Sequence, residues 1–456
     1  MAELIVSVSG VRGIIGDSLT APVALDFGRA LGEFLRQQAG NGSNAAQLRV
    51  AVGRDSRISG PMITQALVAG LLSVGVAVID LGVTATPTVA LMGRFLKADA
   101  SVVVTASHNP PEYNGLKFLR HDGIGFPGGS VEKIHQIYQS RHFRAAGIDS
   151  IGHFSTDSRG HAHHVQTVLQ FFDTRAIAQH RYRVVVDSIN GAGCIATPML
   201  LGKLGVELIH QNAAATGRFA HTPEPVKENL GGLCEEVLRR KAAVGFAQDP
   251  DADRLAIVDE LGNYIGEEYT LALAVYARLL AKPGIVVTNL STSRMVDDIA
   301  ARFASQVIRT PVGEANVAAK MLEVGAVIGG EGNGGVIDLR VGPVRDSFIA
   351  MATVLDLLAR TGQTISGLVR ELPRYAMIKT KFSCTSEQAR MLVDRVRDAF
   401  KSEKLDTQDG VRIDWPQGWV HVRPSNTEPI ARVIAEATDE TIARDLIGRV
   451  EKLRQA

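Results

Sequence analysis

Short apolar runs alternate with amphipathic segments along most of this chain of 456 residues. In the first third the runs have the length of β-strands, at Leu4 to Val8, Leu48 to Val52, Val76 to Leu81 and Ala100 to Val104. Apolar residues at helical spacing lie between them, for example from Pro61 to Leu72. Strands that alternate with helices build βαβ units, in which the sheet is largely parallel. This part of the chain is therefore predicted to be an α/β domain.

The alternation restarts twice and then changes, which predicts four domains. A polar stretch that contains glycine follows residue 154 and separates the first series from the second. From residue 373 onward, strand-like runs cluster between two helical segments, which is typical of an α+β domain. A chain of 456 residues is also too long for one ordinary hydrophobic core. We predict α/β domains at 1–154, 155–259 and 260–372 and an α+β domain at 373–456.

The composition is that of a globular enzyme, with 45% hydrophobic residues and a net charge of +1. This balance argues against nucleic acid or an anionic membrane as the partner, since both call for a strong basic excess. The sequence contains no apolar run of about 18 residues and no signal-like start, so a cytoplasmic location is expected. Three widely spaced cysteines argue against disulfides and a zinc site. A small anionic molecule remains the expected partner.

One serine occupies a turn directly after an apolar run. Ser107 lies in the segment Thr105 to Pro110, which follows the strand-like run Ala100 to Val104. A hydroxyl at the carboxyl end of a strand in an open α/β sheet faces the crevice where such sheets bind ligands. The alternative is an ordinary strand-to-loop turn, in which serine and asparagine are common. Ser107 is the candidate phosphoryl carrier.

Three carboxylates follow a second strand-like run at alternate positions. Asp249, Asp251 and Asp253 lie on one side of an extended segment, so they repel one another unless a cation sits among them. Hard oxygen ligands without a Cys or His cluster favour Mg²⁺. Glu260 stands at the twelfth position of a calcium-loop spacing, but Arg254 occupies the sixth position, where that loop needs glycine. A magnesium site is the preferred interpretation.

Two further loops carry groups suited to a phosphorylated sugar. The segment Gly329 to Gly335 offers Glu331 and Asn333 on a glycine-rich backbone, and such groups suit sugar hydroxyls. It lacks the Gly-Lys-Ser/Thr ending of a nucleotide loop. The segment Arg423 to Pro429 gathers a guanidinium, hydroxyls and backbone N–H groups, which predicts a phosphate-binding turn.

A histidine cluster stands apart from these loops. His161, His163 and His164 form the only such cluster of the sequence, but no carboxylate or cysteine accompanies them. We interpret them as a solvated helix start and not as a metal site.

Four motifs, TASHNP, DPDADR, GGEGNGG and RPSNTEP, occur in this order along the chain. They resemble the four active-site loops of the alpha-D-phosphohexomutase superfamily, one for each predicted domain. Four shorter segments are also similar to family signatures: Ser9 to Gly13, Gly53 to Arg57, Pro223 to Leu230 and Val312 to Asn316. The alternative for the second of these is a surface ion-pair cluster that contributes little.

The resemblance implies three consecutive similar α/β domains with mixed sheets and a C-terminal α+β domain, arranged around one central cleft. It implies that phosphorylated Ser107 and Asp249, Asp251 and Asp253 hold Mg²⁺. Hexose 1-phosphate and hexose 6-phosphate would then interconvert through a phosphoserine enzyme and a bound hexose 1,6-bisphosphate. It implies catalytic roles for Ser107, His108, Lys117, Arg12 and Arg254, and substrate contacts for Glu331, Asn333, Gly313, Arg423, Ser425, Asn426, Thr427 and Arg432.

Two of these roles have alternatives. Lys117 stands where the family has its general base, but it can also serve only to bind phosphate, since a basic lysine needs a lowered pKa. His108 can orient or protonate the phosphoryl group, or it can cap the turn.

The third loop departs from the commonest family pattern, Glu-x-Ser-Gly-His, because Asn333 and Gly335 replace the serine and the histidine. Relatives with this form act on glucosamine, mannose or glucose phosphates, and we favour a phosphoglucosamine mutase over a phosphomannomutase or phosphoglucomutase. A metal-dependent sugar phosphatase and a noncatalytic phosphosugar-binding protein are further alternatives. The protein is expected to be a monomer or homodimer.

Overall fold

The apolar runs form the strands of four sheets in a computed structural model, which describes residues 3–7, 10–39, 47–424 and 430–455. The first three sheets combine parallel and antiparallel pairs, and the fourth is antiparallel. Among the helices of these described residues, none combines the length and the apolar character that crossing a membrane requires.

The first sheet has seven strands in the order β1-β2-β6-β5-β3-β4-β7. The strands are β1 (Ile5–Ser7), β2 (Gly10–Ile14), β3 (Arg49–Arg54), β4 (Ala77–Val83), β5 (Ala100–Val104), β6 (Tyr113–Arg120) and β7 (Phe154–Thr156). The helices are α1 (Ala21–Ala39), α2 (Gly60–Ser73), α3 (Thr86–Phe95) and α4 (Gly128–Ser140), and a 3-10 turn covers Ile148–Ser150. Strand β3 is parallel to β4 and β5, whereas β6 is antiparallel to β5.

The second sheet has the order β11-β10-β8-β9. Its strands are β8 (Arg183–Asp187), β9 (Glu207–Gln211), β10 (Val244–Gln248) and β11 (Leu255–Val258). Its helices are α5 (Gly160–Leu169), α6 (Thr174–Gln179), α7 (Gly193–Lys203) and α8 (Gly231–Arg240), with a 3-10 turn at Lys227–Asn229.

The third sheet has the order β13-β12-β14-β15. Its strands are β12 (Val286–Asn289), β13 (Val307–Thr310), β14 (Ile328–Glu331) and β15 (Gly335–Ile337). Its helices are α9 (Glu267–Ala281), α10 (Met295–Arg302), α11 (Glu314–Val324), α12 (Ser347–Thr361) and α13 (Ile365–Glu371).

The same four-strand core occurs in all three of these sheets. Three strands are parallel, and a fourth returns antiparallel beside the third, as β6 does beside β5, β11 beside β10 and β15 beside β14. This common topology confirms the prediction of three similar α/β domains with mixed sheets.

The last sheet is antiparallel throughout, in the order β16-β20-β19-β18-β17. Its strands are β16 (Ala376–Ser383), β17 (Lys404–Asp406), β18 (Val411–Trp415), β19 (Gly418–Pro424) and β20 (Ile430–Ala437), and its helices are α14 (Ser386–Ala399) and α15 (Glu440–Gln455). Apolar residues of both helices share one buried cluster with alternate residues of the strands. The prediction of an α+β domain is confirmed.

The largest buried apolar cluster joins the second and third domains. Phe246 of β10, Leu271 of α9 and Phe348 of α12 all belong to it and are fully buried. Because the two sheets share this core, the loops at their strand ends are held in a fixed relation to each other.

Helices α1 and α2 approach so closely that glycine is required on both. A Cβ atom at Gly28 would overlap the carbonyl oxygen of Leu67, and a Cβ at Gly70 would overlap that of Leu25. Backbone atoms cannot move aside as the end of a flexible side chain can.

We expect Gly70→Ala to destabilise the protein by about 1–3 kcal/mol, because the added methyl group must push the two helices apart. The matched control is Gly202→Ala in α7, where an added Cβ meets nothing within 4 Å. That substitution should be neutral or should stabilise the helix by about 0.5–1 kcal/mol. Thermal and urea unfolding of both variants measure the difference, and equal stabilities would contradict the close-packing argument.

Candidate active site

Three of the motif loops leave equivalent strands of the three α/β sheets. The serine loop follows β5, the aspartate loop follows β10 and the glycine-rich loop follows β14, and each leads into the antiparallel fourth strand. The loops meet in space, because Ser107 Oγ donates to Asp249 Oδ2 at 3.0 Å and Arg345 bridges Asp253 and Glu331. The common topology therefore delivers one loop from each domain to one site.

Ser107 is held in an unusual backbone conformation. Its φ is +49°, in the left-handed region that non-glycine residues adopt only where the surroundings impose it. Its N–H donates to Thr105 Oγ1 at 2.8 Å, and its carbonyl accepts from Arg57 Nη2 at 2.6 Å. These contacts aim the hydroxyl at the aspartate loop.

The guanidinium of Arg57 holds the serine loop in place through hydrogen bonds to backbone carbonyl groups. It also donates to the carbonyls of Asn109, Pro110 and Tyr113, and its Nε contacts Asp55 Oδ2 at 3.1 Å. The alternative of a surface ion pair is wrong for Asp55 and Arg57, since their side chains are 0% and 1% exposed. Burial raises the pKa of Asp55 to about 6, against the opposing effect of Arg57.

The three aspartates form a buried cluster in which one oxygen of each lies within 4.8 Å of the others. Burial, with Asp251 and Asp253 nearby, raises the pKa of Asp249 well above its usual range. Asp253 differs, because Arg345, Lys117 and Arg254 outweigh burial and lower its pKa. Asp251 Oδ1 and Asp253 Oδ1 are buried and accept no hydrogen bond from any described residue. Such oxygens suit a hard divalent cation, so the donor set fits Mg²⁺.

The flanks of the aspartate loop are the strands β10 and β11, not helices, which excludes a calcium loop of the helix-loop-helix type. Glu260, which stood at the twelfth position of that spacing, instead accepts hydrogen bonds from the backbone and hydroxyl of Ser366.

Cationic side chains surround the aspartates. Lys117 Nζ lies 2.7 Å from Glu314 Oε2 and 3.7 Å from Asp253 Oδ2. Burial opposes its charge, but Glu314 and Asp253 outweigh burial and raise the pKa of Lys117. Arg254 Nε lies 3.9 Å from Asp253 Oδ1.

Arg12 and His108 lie beside the serine. Arg12 Nη1 donates to Asn109 Oδ1 at 2.8 Å, and burial lowers the pKa of Arg12. His108 Nδ1 lies 3.4 Å from Ser107 Oγ. The charge of Arg254, followed by burial and Arg12, lowers the pKa of His108 well below its usual range, so the imidazole is neutral at pH 7.

Two polar side chains of the glycine-rich segment differ in their contacts: the carboxylate of Glu331 already accepts hydrogen bonds, whereas the amide oxygen of Asn333 accepts none from the described residues. Glu331 Oε1 accepts from Asn289 Nδ2 at 2.8 Å and from the N–H of Gly313 at 3.1 Å, and Oε2 accepts from Arg345 Nη1 at 2.8 Å. Asn333 Oδ1 is buried and has no hydrogen-bond partner among the described residues.

The fourth loop lies outside the described residues, and with it Ser425, Asn426 and Thr427. Its two flanks are described: Arg423 of β19 stands directly opposite Arg432 of β20. Two guanidinium groups at opposed positions on neighbouring strands can contact one anion together. Asp409 Oδ2, 3.7 Å from Arg423, also accepts from the N–H of Val312, so this strand end lies against the third domain.

Sequence reasoning missed two buried residues of the site, Arg345 and Thr86. Arg345 Nη2 contacts Asp253 Oδ2 at 2.5 Å, and Thr86 Oγ1 donates to Asp251 Oδ2 at 2.6 Å. Neither lies in a motif, and both reach the aspartates from other domains. The sequence offered one weak signal: Arg345 and Asp346 interrupt an otherwise apolar stretch.

The histidine cluster starts helix α5, as predicted, but it is not uniformly solvated. His164 is 1% exposed, and its ring contacts Thr88 Oγ1 at 2.7 Å and Asp346 Oδ2 at 2.8 Å. The solvated interpretation is therefore wrong for His164, because this residue lies where the first three domains meet.

Glu268 of α9 lies directly behind the glycine-rich loop. A Cβ at Gly332 would overlap its carboxylate, so the two residues are in close contact. Its Oε2 accepts from the N–H of Ser293 at 3.0 Å, and Lys379 Nζ lies 3.6 Å from Oε1. Burial raises the pKa of Glu268 to about 8, although Lys379 opposes this.

We expect Glu268→Gln to become stabilising as the pH rises. A carboxyl whose pKa is raised from 4.5 to about 8 contributes stability below the lower value and loses it as pH rises through the higher one. Glutamine keeps the acceptor for Ser293 and does not titrate. Thermal unfolding between about pH 5 and pH 9 should show the two proteins closest at the acid end and the variant more stable at the alkaline end. Parallel curves would contradict the raised pKa.

Comparison with known proteins agrees with this architecture. Family models described as phosphoglucomutase/phosphomannomutase match the chain at 4–145 (alpha/beta/alpha domain I), 162–262 (domain II), 266–375 (domain III) and 380–453 (C-terminal domain). A phosphoglucomutase/phosphomannomutase of Thermococcus kodakarensis is 39% identical over 444 residues, which cover 96% of this chain and 95% of the relative. A probable phosphoglucosamine mutase of Methanopyrus kandleri is 38% identical over 445 residues, again 96% and 95%.

Among solved structures, a phosphoglucomutase/phosphomannomutase family protein from Burkholderia thailandensis superposes with a TM-score of 0.86. It is 28% identical, and the match covers 99% of this chain and 97% of that one. The chain therefore belongs to the phosphoglucomutase/phosphomannomutase family of the alpha-D-phosphohexomutase superfamily, and it is an isomerase of the intramolecular phosphotransferase class.

Proposed function

We propose that this phosphohexomutase interconverts hexose 1-phosphate and hexose 6-phosphate through a phosphorylated Ser107. The observation that carries the proposal is the 3.0 Å contact of Ser107 Oγ with Asp249, inside a buried carboxylate cluster that cations surround. A phosphoryl group on Ser107 would add about −1.5 to −2 charges at this point. The surrounding cations and a bound metal balance that charge.

Mg²⁺ is the proposed cofactor, held by Asp249, Asp251, Asp253 and an oxygen of phosphorylated Ser107. When bound, the ion neutralises charge on the phosphoryl oxygens during transfer. The two buried Oδ1 atoms without partners among the described residues support this donor set. An N-acetylphosphoglucosamine mutase of Aspergillus fumigatus with the same fold has been solved with GlcNAc-6P and magnesium.

The transfer step breaks the bond between phosphorus and Ser107 Oγ and forms one between phosphorus and the free sugar hydroxyl. In net terms the proton of that hydroxyl passes to Ser107 Oγ, which becomes a free serine hydroxyl again. The product is a hexose 1,6-bisphosphate, which turns within the site so that its other phosphate returns to Ser107. A related A. fumigatus enzyme, similar in fold alone, was solved with glucose 1,6-bisphosphate. The remaining chemistry is positioning and charge stabilisation by the protein.

Lys117 is proposed to bind the reacting phosphate as a cation. A general base must give up its proton first, and the contacts of Lys117 with Glu314 and Asp253 favour the charged form. Arg12 and Arg254 are proposed to act on the same phosphate. The neutral imidazole of His108 is proposed to orient Ser107 Oγ from 3.4 Å.

The sugar and its second phosphate are proposed to lie between the glycine-rich loop and the C-terminal domain. Both oxygens of Glu331 already accept hydrogen bonds, so Glu331 is proposed to hold Gly313 and Arg345 in position beside the substrate. Asn333 Oδ1, which has no hydrogen-bond partner among the described residues, suits a sugar hydroxyl. Arg423 and Arg432, with Ser425, Asn426 and Thr427 of the adjoining loop, are proposed to hold the phosphate that is not reacting.

Glucosamine phosphate is the proposed substrate, and mannose or glucose phosphate is the alternative. The proposal depends on the Glu-Gly-Asn-Gly-Gly form of the third loop and on relatives such as the M. kandleri protein. The T. kodakarensis relative, named phosphoglucomutase/phosphomannomutase, favours the alternative to a similar degree. A phosphatase would have to admit water to the phosphoserine, whereas a mutase must exclude it.

We expect Ser107→Ala to lower turnover by about 10⁴-fold or more, because it removes the hydroxyl that is proposed to carry the phosphoryl group. The loss of one hydrogen bond should cost only about 1 kcal/mol of stability. Ser101→Ala is the matched control, since this serine is equally buried in the preceding strand β5. Ser101→Ala should keep its activity, and full activity of Ser107→Ala would refute the phosphoserine assignment.

The substrate is tested by incubating the enzyme with Mg²⁺, a trace of hexose 1,6-bisphosphate and, separately, glucosamine, glucose or mannose 1-phosphate. We expect 6-phosphate to form without free phosphate, and fastest from glucosamine 1-phosphate. A faster reaction of glucose or mannose 1-phosphate would move the assignment to the alternative. Release of free phosphate as the main product would identify a phosphatase instead.

A further inference from the structure

Two of the three aspartates share one pattern of contacts. Asp251 Oδ2 accepts from Thr86 Oγ1 at 2.6 Å, and Asp253 Oδ2 accepts from Arg345 Nη2 at 2.5 Å. The other oxygen of each, Oδ1, is buried without a hydrogen-bond partner in the described part of the chain. In both carboxylates, one oxygen accepts a hydrogen bond from outside the loop and the other accepts none from the described residues, although Arg254 Nε lies 3.9 Å from Asp253 Oδ1.

Asp249 differs from the other two aspartates, because both of its oxygens accept hydrogen bonds. Its Oδ1 accepts the backbone N–H groups of Asp253 and Arg254, each at 3.1 Å, so its own loop holds this oxygen. Its Oδ2 faces Ser107 Oγ at 3.0 Å. One oxygen of each of the three carboxylates lies within 4.8 Å of the others, so the cluster can share one cation.

The two side-chain donors come from outside the loop and are themselves fixed. Thr86 is the first residue of α3 in the first domain, is 0% exposed, and also donates its N–H to the carbonyl of Asp251 at 2.9 Å. Arg345 lies just before α12 in the third domain and is also held by Glu331. A donor with little freedom of its own can set the rotation of the carboxylate that it contacts.

We propose that Thr86 and Arg345 are positioning residues that select Oδ1 of Asp251 and Oδ1 of Asp253 as the metal-binding oxygens. A carboxylate has two chemically equivalent oxygens, and occupying one of them orients the other at a fixed cost in side-chain freedom. The inference rests on the proposed metal site. It adds that the affinity of the second domain's aspartates for metal depends on residues of the first and third domains.

The main test is direct metal binding to the substrate-free enzyme, with Mn²⁺ as the probe and free Mn²⁺ measured by electron paramagnetic resonance. Thr86→Val removes the hydroxyl and keeps the shape and the backbone contact, and we expect about 10–100-fold weaker binding. Thr86→Ser restores the hydroxyl and should restore the affinity. Thr84→Val is the matched control, because Thr84 is buried two residues away and its hydroxyl donates to the carbonyl of Leu81.

Arg345→Lys is the second test variant. It keeps the positive charge but loses the guanidinium group that contacts Asp253 and Glu331 at the same time. It should also weaken Mn²⁺ binding. Arg340→Lys is its control, since Arg340 pairs with Asp338 a short distance along the same segment and contacts none of the three aspartates. Circular dichroism and thermal unfolding of the metal-free variants verify that each is folded.

The outcomes separate this inference from the proposed function. If Asp249→Asn leaves Mn²⁺ binding unchanged, the metal site itself is wrong and the inference falls with it. If Asp249→Asn weakens binding while Thr86→Val and Arg345→Lys match the parent, only the positioning roles are overturned. Equal losses in Thr86→Val and Thr84→Val would also overturn them, because a general loss of packing would then explain both.

Discussion

The burial of three aspartates within one short loop is the constraint on which the rest of the site depends. Carboxylates this close repel one another, and burial removes the water that would screen them. The protein supplies compensation from every side: Thr86 and Lys117 from the first domain, Arg254 from the loop itself, and Arg345 from the third domain. Burial opposes the charge of Arg345, yet Asp253, Glu314 and Glu331 raise its pKa. Because these contacts compensate the aspartate charges from different domains, they also fix the positions of the domains relative to one another at the site.

The serine loop has a comparable arrangement on a smaller scale. Ser107 has a backbone conformation that costs energy, and Arg57 offsets that cost with contacts to three carbonyl groups of the loop and to the carbonyl of Tyr113 at the start of β6. The guanidinium is buried and paired with Asp55, so it has little freedom to move. A rigid support of this type fixes the Ser107 hydroxyl at one defined point, as the proposed phosphoryl transfer requires.

Repetition of one sheet topology explains how a single site draws on three domains. Each α/β sheet ends its third strand in a loop that leads to an antiparallel fourth strand. The serine and the aspartates lie in the loops after β5 and β10, and Glu331 is the last residue of β14. The fold at these points is the same, whereas the residues differ completely. Function within the repeat is therefore set by loop chemistry, and the scaffold supplies only the position.

The sequence by itself determined the fold class, the number of sheets and the motif loops that reach the site, because strand and helix periodicity and the turn residues are local properties of the chain. It did not determine which side chains outside the motifs join the aspartates, or that Asp55, Arg57 and His164 are buried. Arg345 lies 92 residues from Asp253, and Thr86 lies 165 residues from Asp251. Only the tertiary structure decided those contacts, because they depend on how separately formed domains pack and not on any pattern within one segment.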